Sequence, residues 1–302
     1  MTPATTRTAV LLLAHGSPAS VDDVPEFLRE ITHGRSLPPQ VIEEVRHRYG
    51  LIGRSPLTEL TLKQGELLAR ELGIPVYVGM RNWKPRVAGA VKAMNDAGVK
   101  HAVVICLAPQ NSRTSVGLYR AALTAQELSF SLDFVESWHD QPSLIAAFAE
   151  KFSAGWSRAC AEARVRVPVI FTAHSVPQRT IDDGDPYEAQ ARETAALVAA
   201  AVRPDEWKFA FQSQGMSGGA WVGPTVEDTI SGLTLAGHSE VFIQPIGFLC
   251  DHVEILYDID IGFKEFAQKA RMRLWRAESL NDSPLLTKAL AELVRERLAP
   301  KS

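Results

Sequence analysis

The chain has 302 residues, 46% hydrophobic and 22% charged, and 32 Lys and Arg against 35 Asp and Glu leave a net charge of -3. That length implies one large or two ordinary domains, and the composition argues against disorder, collagen and membrane-spanning chains. No basic excess or basic stripe is present, which argues against a nucleic-acid partner.

The opening MTPATTRTAVLLLAHGSP carries an Arg and an apolar run. The run AVLLLA enters a turn at once, and no apolar stretch reaches the ~18 residues of a membrane span. It reads as a first strand, TAVLLLA (8–14). A polar, mostly charged stretch follows near 30–56, then a helix TLKQGELLARELG (61–73) and a strand IPVYVGM (74–80). A helix PRVAGAVKAMNDAG (85–98) precedes the runs HAVVICLAP (101–109), LDFVES (132–137), PVIFTA (168–173) and KFAFQS (208–213). A helix PTVEDTISGLTLAG (224–237) and a strand EVFIQPIGF (240–248) complete the pattern. Strands apolar on both faces and separated by amphipathic helices predict an α/β protein built on parallel sheet. Cys106, Cys160 and Cys250 are far apart with no CxxC pair, which fits a reducing, cytoplasmic setting.

A faint internal repeat refines the fold class. Ala14-His15 and Pro18 match Ala173-His174 and Pro177 at an offset of 159, whereas Pro85 and Ala97-Gly98 match Pro224 and Ala236-Gly237 at 139. Shared offsets imply two similar halves, the first carrying about 20 extra residues near 30–56. The expectation is two Rossmann-like, doubly wound halves, 1–155 and 156–302.

Ligands of such sheets bind beyond the carboxyl ends of the strands. The residues there are His15, Arg81 and Asn82, Gln110 to Ser115, His174, Ser213, and Asp251, His252 and Glu254. No GxGxxG, GxxxxGKS, GxxxxGKT or GxSxG pattern stands at a strand end, which removes the main signals for nucleotide and serine-hydrolase chemistry. His174 suits proton transfer or a divalent metal, although a strand-end His also serves structural roles. Asp251, Glu254 and Asp258, spaced three and four apart, are expected along one helical face, as a row of oxygens for a cation or for protons. Asp251 equally fits a dipole complement in a first turn. Arg35, Arg46, Arg48 and Tyr49 in the polar stretch, followed by the turn GRSPL, with Ser112, Arg113, Thr114, Ser115 and Tyr119, supply guanidinium and hydroxyl groups for a ligand with several carboxylates, Arg46 fitting a solvated surface position. Trp221 fits either a cleft wall or a core position.

The ordered segments LLLAHGSP, IGRSPLTELTLKQ, VYVGMRNWKP, LAPQNSRTSVGLY, FTAHSVP, GDPYEAQARET, FQSQG, AWVGP, GFLCDHVEILYDID and LNDSP resemble those of ferrochelatases from end to end. The resemblance implies two Rossmann-like halves around a porphyrin cleft, insertion of Fe2+ into a porphyrin, and His174 and Glu254 as the active-site pair. His174, Glu254 and Asp258 would meet the metal. His15, Arg35, Arg48, Tyr49, Ser55, Thr114, Ser115, Tyr119, Ser213 and Trp221 would surround the porphyrin. His15 stands where the most similar relatives carry Tyr, and either faces the ring as an axial ligand or packs behind the strand. Asn82 replaces a frequent His, and Gly262 a third carboxylate of some relatives. No Cys follows Cys250, so no 2Fe-2S cluster is expected. The polar stretch resembles the monoderm-type branch that metallates coproporphyrin III, with protoporphyrin IX as the alternative substrate. A cobalt or nickel chelatase and a non-enzymatic porphyrin carrier are the competing readings. A monomer without integral membrane segment, meeting other enzymes of haem synthesis transiently, completes the expectation.

Overall fold

The computed structural model describes residues 7–32, 34–215 and 219–300. The chain forms two compact units, each built on a four-stranded parallel sheet.

The first unit holds β1 (Thr8–Ala14), β2 (Val76–Met80), β3 (His101–Cys106) and β4 (Ser131–Val135) in the order β2-β1-β3-β4. Its helices are α1 (Val24–Ile31), α2 (Pro39–Ile52), α3 (Leu57–Leu72), α4 (Val87–Asp96) and α5 (Val116–Thr124). Side chains alternate across a strand, so Ala9, Leu11 and Leu13 pack on Val91 and Met94 of α4 and Leu123 of α5. Leu12 points to the other face, beneath α3. There Gly65 comes so close that a Cβ would stand 2.9 Å from Val78 Cγ2. Each fully buried Leu of β1 contributes roughly 1.5–3 kcal/mol of transfer free energy.

The second unit holds α6 (Pro142–Ala163), β5 (Val169–His174), α7 (Gln178–Asp182), α8 (Tyr187–Val202), β6 (Trp207–Gln212), α9 (Val226–Leu235), β7 (Glu240–Pro245), α10 (Val253–Leu256), α11 (Lys264–Lys269) and β8 (Arg273–Arg276). A π-helical turn, Asp258–Phe263, joins α10 to α11. The sheet order is β6-β5-β7-β8. Ile170, Val241 and Ile243 face Val226 and Ile230 of α9 and Ile255 of α10. On the opposite face Phe152 of α6 stacks on Phe171 and meets Phe242 edge-on.

Both central strands, β1 and β5, end at an Ala-His pair, and the two strand orders correspond. Pro85 accepts a hydrogen bond from Met80 N at 2.7 Å, and Pro224 accepts one from Phe211 N at 2.8 Å. Gly98 and Gly237, at φ +68 and +91, end α4 and α9 in the left-handed conformation that glycine adopts without steric cost. The repeat read from the sequence is therefore structural. Its extra residues fall where α1, α2 and α3 separate β1 from β2, against α7 and α8 between β5 and β6.

Three expectations need correction. The units do not divide at residue 155: the break falls between Trp138 and His139, because α6 packs on the sheet that follows it. Residues 110–114 belong to the second unit, and residues from Asn281, including α12 (Pro284–Leu298), belong to the first. The strand β8, RLWR, has charged ends and was not expected.

Candidate active site

β5 delivers His174 at its carboxyl end, after five buried residues. Gly247, just past β7, lies against this end, and a Cβ there would stand 3.0 Å from Ala173 Cβ. A side chain at 247 would force Ala173 to give by a few tenths of an ångström, so glycine suits the close passage after β7 that carries residues 250–258 alongside His174. Glu254 Oε1 lies 3.4 Å from His174 Nε2, and its other oxygen, Oε2, lies 3.3 Å from His252 Nε2. His174 Nδ1 meets the Ser175 carbonyl, and His252 Nδ1 meets the Cys250 carbonyl at 2.9 Å. A carbonyl oxygen only accepts, so Nδ1 carries the proton in each ring. Both Nε2 atoms therefore face one carboxylate, and each contact becomes attractive when a proton occupies it. Phe248 packs edge-on against His174 and tilted against His252.

Burial alone would push the His174 imidazolium down. The Glu254 charge and its hydrogen bond, the Ser175 carbonyl and the Asp258 charge more than offset it, raising His174 to about 8. For Glu254, burial pulls upward, and the two histidines override it and hold the carboxyl well below its ordinary value. The Tyr187 hydroxyl donates to the His174 carbonyl at 2.9 Å. Burial and the Glu254 charge push that phenol up, so it stays a donor.

The acidic row expected on one helical face forms only in part. α10 starts only after Asp251, which turns away to other partners, whereas the charges of Glu254 and Asp258 both bear on His174. Asp251 accepts from Ser279 Oγ at 2.6 Å and pairs with Arg276 Nη1 at 3.5 Å. Arg276, at the end of β8, also grips Asp260 with two hydrogen bonds of 2.7 and 2.8 Å. Asp258 accepts from Ser213 Oγ. Ser213 has a φ of +60, a left-handed conformation that non-glycine residues occupy at some cost and that recurs at functional sites. Among the described residues no three His, Cys, Asp or Glu side chains converge as a ready-made metal site. Trp221 is half-buried, its indole over Gly215.

The GDPY segment has a separate task in this unit. Asp185 accepts from Arg113 N at 2.7 Å and Ser112 Oγ at 3.2 Å, and Asp183 pairs with the Arg113 guanidinium at 2.7 Å. Arg113 is thus a structural clasp. Thr114 is exposed, its hydroxyl 2.8 Å from Ser112 Oγ.

In the first unit His15 follows β1 with an exposed side chain, its Nδ1 on the Gly16 carbonyl at 2.8 Å and its ring edge-on to Phe27. It does not pack behind the strand. Arg35 is exposed and Ser115 half-buried. Arg48 is held by Glu44, one turn back on α2, at 3.0 Å. Tyr49, Ser55 and Tyr119 are buried rather than at a rim. The Ser55 hydroxyl meets Ser17 Oγ at 2.7 Å, tying the turn before α3 to the loop after β1. The Tyr119 ring lies 5.8 Å from the Arg81 guanidinium.

His252, Gln212 and Tyr187 touch His174 or Glu254, and Arg276 holds Asp251 and Asp260; sequence reasoning placed His252 beyond a strand end without a role and singled out none of the others. The HxE spacing at a helix start was a usable signal for His252. The other three act through backbone atoms or carboxylates that only the fold brings near.

The ferrochelatase family model matches residues 7–298. A protein named Ferrochelatase from Acidobacterium capsulatum is 56% identical, covering 97% of this chain and 95% of its own. One named Coproporphyrin III ferrochelatase from Geobacillus sp. is 33% identical, covering 97% and 98%. SirB from Bacillus subtilis, solved with Fe3+, matches with a TM-score of 0.61 at 13% identity over 97% of this chain and 96% of that one, a likeness of fold. Two parallel sheets with flanking helices in the chelatase arrangement, a family match along nearly the whole chain and a 56% identical relative have one meaning: the chain belongs to the ferrochelatase family.

Proposed function

We propose that this ferrochelatase inserts Fe2+ into coproporphyrin III, with His174 accepting pyrrole protons and Glu254 as its electrostatic partner. Insertion exchanges two pyrrole N–H protons for one divalent cation, so the base must take up protons as positive charge arrives. The observation that carries the reading is the opposition of two Nε2 atoms across one carboxylate. With both Nδ1 atoms donating to carbonyls, the two Nε2 atoms are seats for two protons, and Glu254 lowers the charge of the doubly protonated array to +1. The acceptor form of His174 grows as pH passes about 8. Asp258, joined to Ser213, is the proposed relay of ions or protons to and from the pair. A preference for a bent ring over the flat product would bind the transition state rather than either end state.

Coproporphyrin III carries four propionates. Exposed Arg35 and Thr114, half-buried Ser115, the polar α2 and the Geobacillus relative's name favour that substrate. Exposed His15 is proposed to face the porphyrin. Anaerobic Fe2+ insertion compared with coproporphyrin III and protoporphyrin IX should give a kcat/KM at least ~10-fold higher for the former. Equal or reversed values overturn the substrate assignment. His174→Ala should lose insertion while porphyrin binding stays visible by absorbance, and retained turnover removes His174 from the mechanism.

A further inference from the structure

Gln212 is a buried amide, 1% exposed, at the end of β6 and in register with His174. Its main-chain oxygen accepts from Ser175 N at 2.7 Å. Its Nε2 donates to the main-chain oxygen of Glu254 at 2.9 Å and reaches Ser213 Oγ at 3.3 Å. Its Oε1 accepts from Thr172 Oγ1 at 2.7 Å. The orientation of the amide follows from chemistry: the Glu254 carbonyl only accepts, so NH2 must face it, and the Thr172 hydroxyl must then donate. One planar group therefore joins β5 two residues before His174, α10 at Glu254, and Ser213, which holds Asp258. Thr172 is itself fully buried. Sealed from solvent, the amide does not touch a substrate, so any effect on turnover must pass through the residues it holds.

We propose that Gln212 is a positioning residue that sets the spacing between His174 and Glu254 by anchoring the Glu254 main chain to β5. The inference rests on the reading of His174 and Glu254 as the insertion pair. A displacement of the order of 1 Å between reacting groups costs about 100-fold in rate, and losing a residue that orients a functional group costs about 10–100-fold.

The test measures kcat and KM for insertion of Fe2+ into the porphyrin turned over faster by the wild type, with Gln212→Met, Gln212→Glu, Thr172→Val and His174→Ala. Gln212→Met should lower kcat about 10–100-fold and leave the porphyrin KM within about twofold. Gln212→Glu keeps the shape but turns an acceptor onto the Glu254 carbonyl, so it should be at least as slow as Gln212→Met. A packing role predicts the reverse order. Wild-type kcat in folded Gln212→Met, or a faster Gln212→Glu, overturns the proposal. If Gln212→Met does not fold, Thr172→Val decides: a kcat lowered about threefold or more with unchanged KM supports it, and an unchanged kcat overturns it. Retained turnover in His174→Ala overturns the underlying pair and the inference with it. An inactive His174→Ala beside a fully active Gln212→Met overturns the inference alone.

Discussion

Glu254→Gln removes the charge that holds His174 protonated and leaves the shape of the side chain almost unchanged. In the wild type burial pulls His174 down, and Glu254 supplies the two largest opposing influences, its charge and its hydrogen bond. Without them burial is opposed only by the Ser175 carbonyl and the Asp258 charge, and His174 should titrate well below about 8. A return to the ordinary 6.5 lowers the ratio of charged to neutral imidazole ~30-fold at fixed pH. The chain has eight histidines, so 13C-labelled His and a His174→Ala spectrum identify the resonance. Stability should follow. The folded value of His174 lies above the unfolded one, so this pair's contribution is complete below about 6.5 and is lost as pH rises through about 8. Glu254, held low, contributes above its ordinary 4.5, and that share is lost as pH falls toward its folded-state value. Melting profiles of wild type and Glu254→Gln should therefore diverge between these limits and converge above pH 8. A His174 resonance still titrating near 8 in Glu254→Gln would refute the reasoning.

The kcat/KM of the wild type should rise with pH toward a plateau above about 8, because the neutral imidazole is the acceptor; a fall between pH 6.5 and 8 contradicts this. Arg276→Met leaves Asp251 and Asp260 without the cation they share. Because both carboxylates retain some solvent, the loss should be about 2–3 kcal/mol in urea unfolding, and a change below about 0.5 kcal/mol would show that the clamp is not needed. Gly16 holds φ +77, and a Cβ there would stand 2.8 Å from Met80 Cβ and 2.9 Å from Trp83 Cβ. Gly16→Ala should cost roughly 2–4 kcal/mol by thermal melting, and a neutral effect would mean that the loop after β1 yields easily.

Among the described residues, seven of the eight strands were legible because parallel strands buried on both faces leave continuous apolar runs. β8 was not, since Arg273 and Arg276 bracket only Leu274 and Trp275. The pair His174 and Glu254 was legible from its place after two strand ends. The fate of Asp251 was not, because helical spacing presumes a helix that begins earlier than α10 does. Arg48, Tyr49 and Ser55 show a further limit. Residue type announces that a guanidinium or hydroxyl is available for a ligand, whereas its partner here, Glu44 for Arg48 and Ser17 for Ser55, is set by helical phase or tertiary contact.

The return of α12 to the first unit has a consequence for synthesis. Leu286, Leu290, Leu293 and Val294 of α12 are buried in that unit, yet they leave the ribosome only after the whole second unit. At about 5–20 residues per second the first sheet spends on the order of ten seconds with the surface beneath α12 uncovered. The second unit, whose segments all precede Asn281, is fully synthesised by then. The first unit is therefore begun before the second and completed after it, and a chain stalled before α12 should be captured by holding chaperones through that first unit.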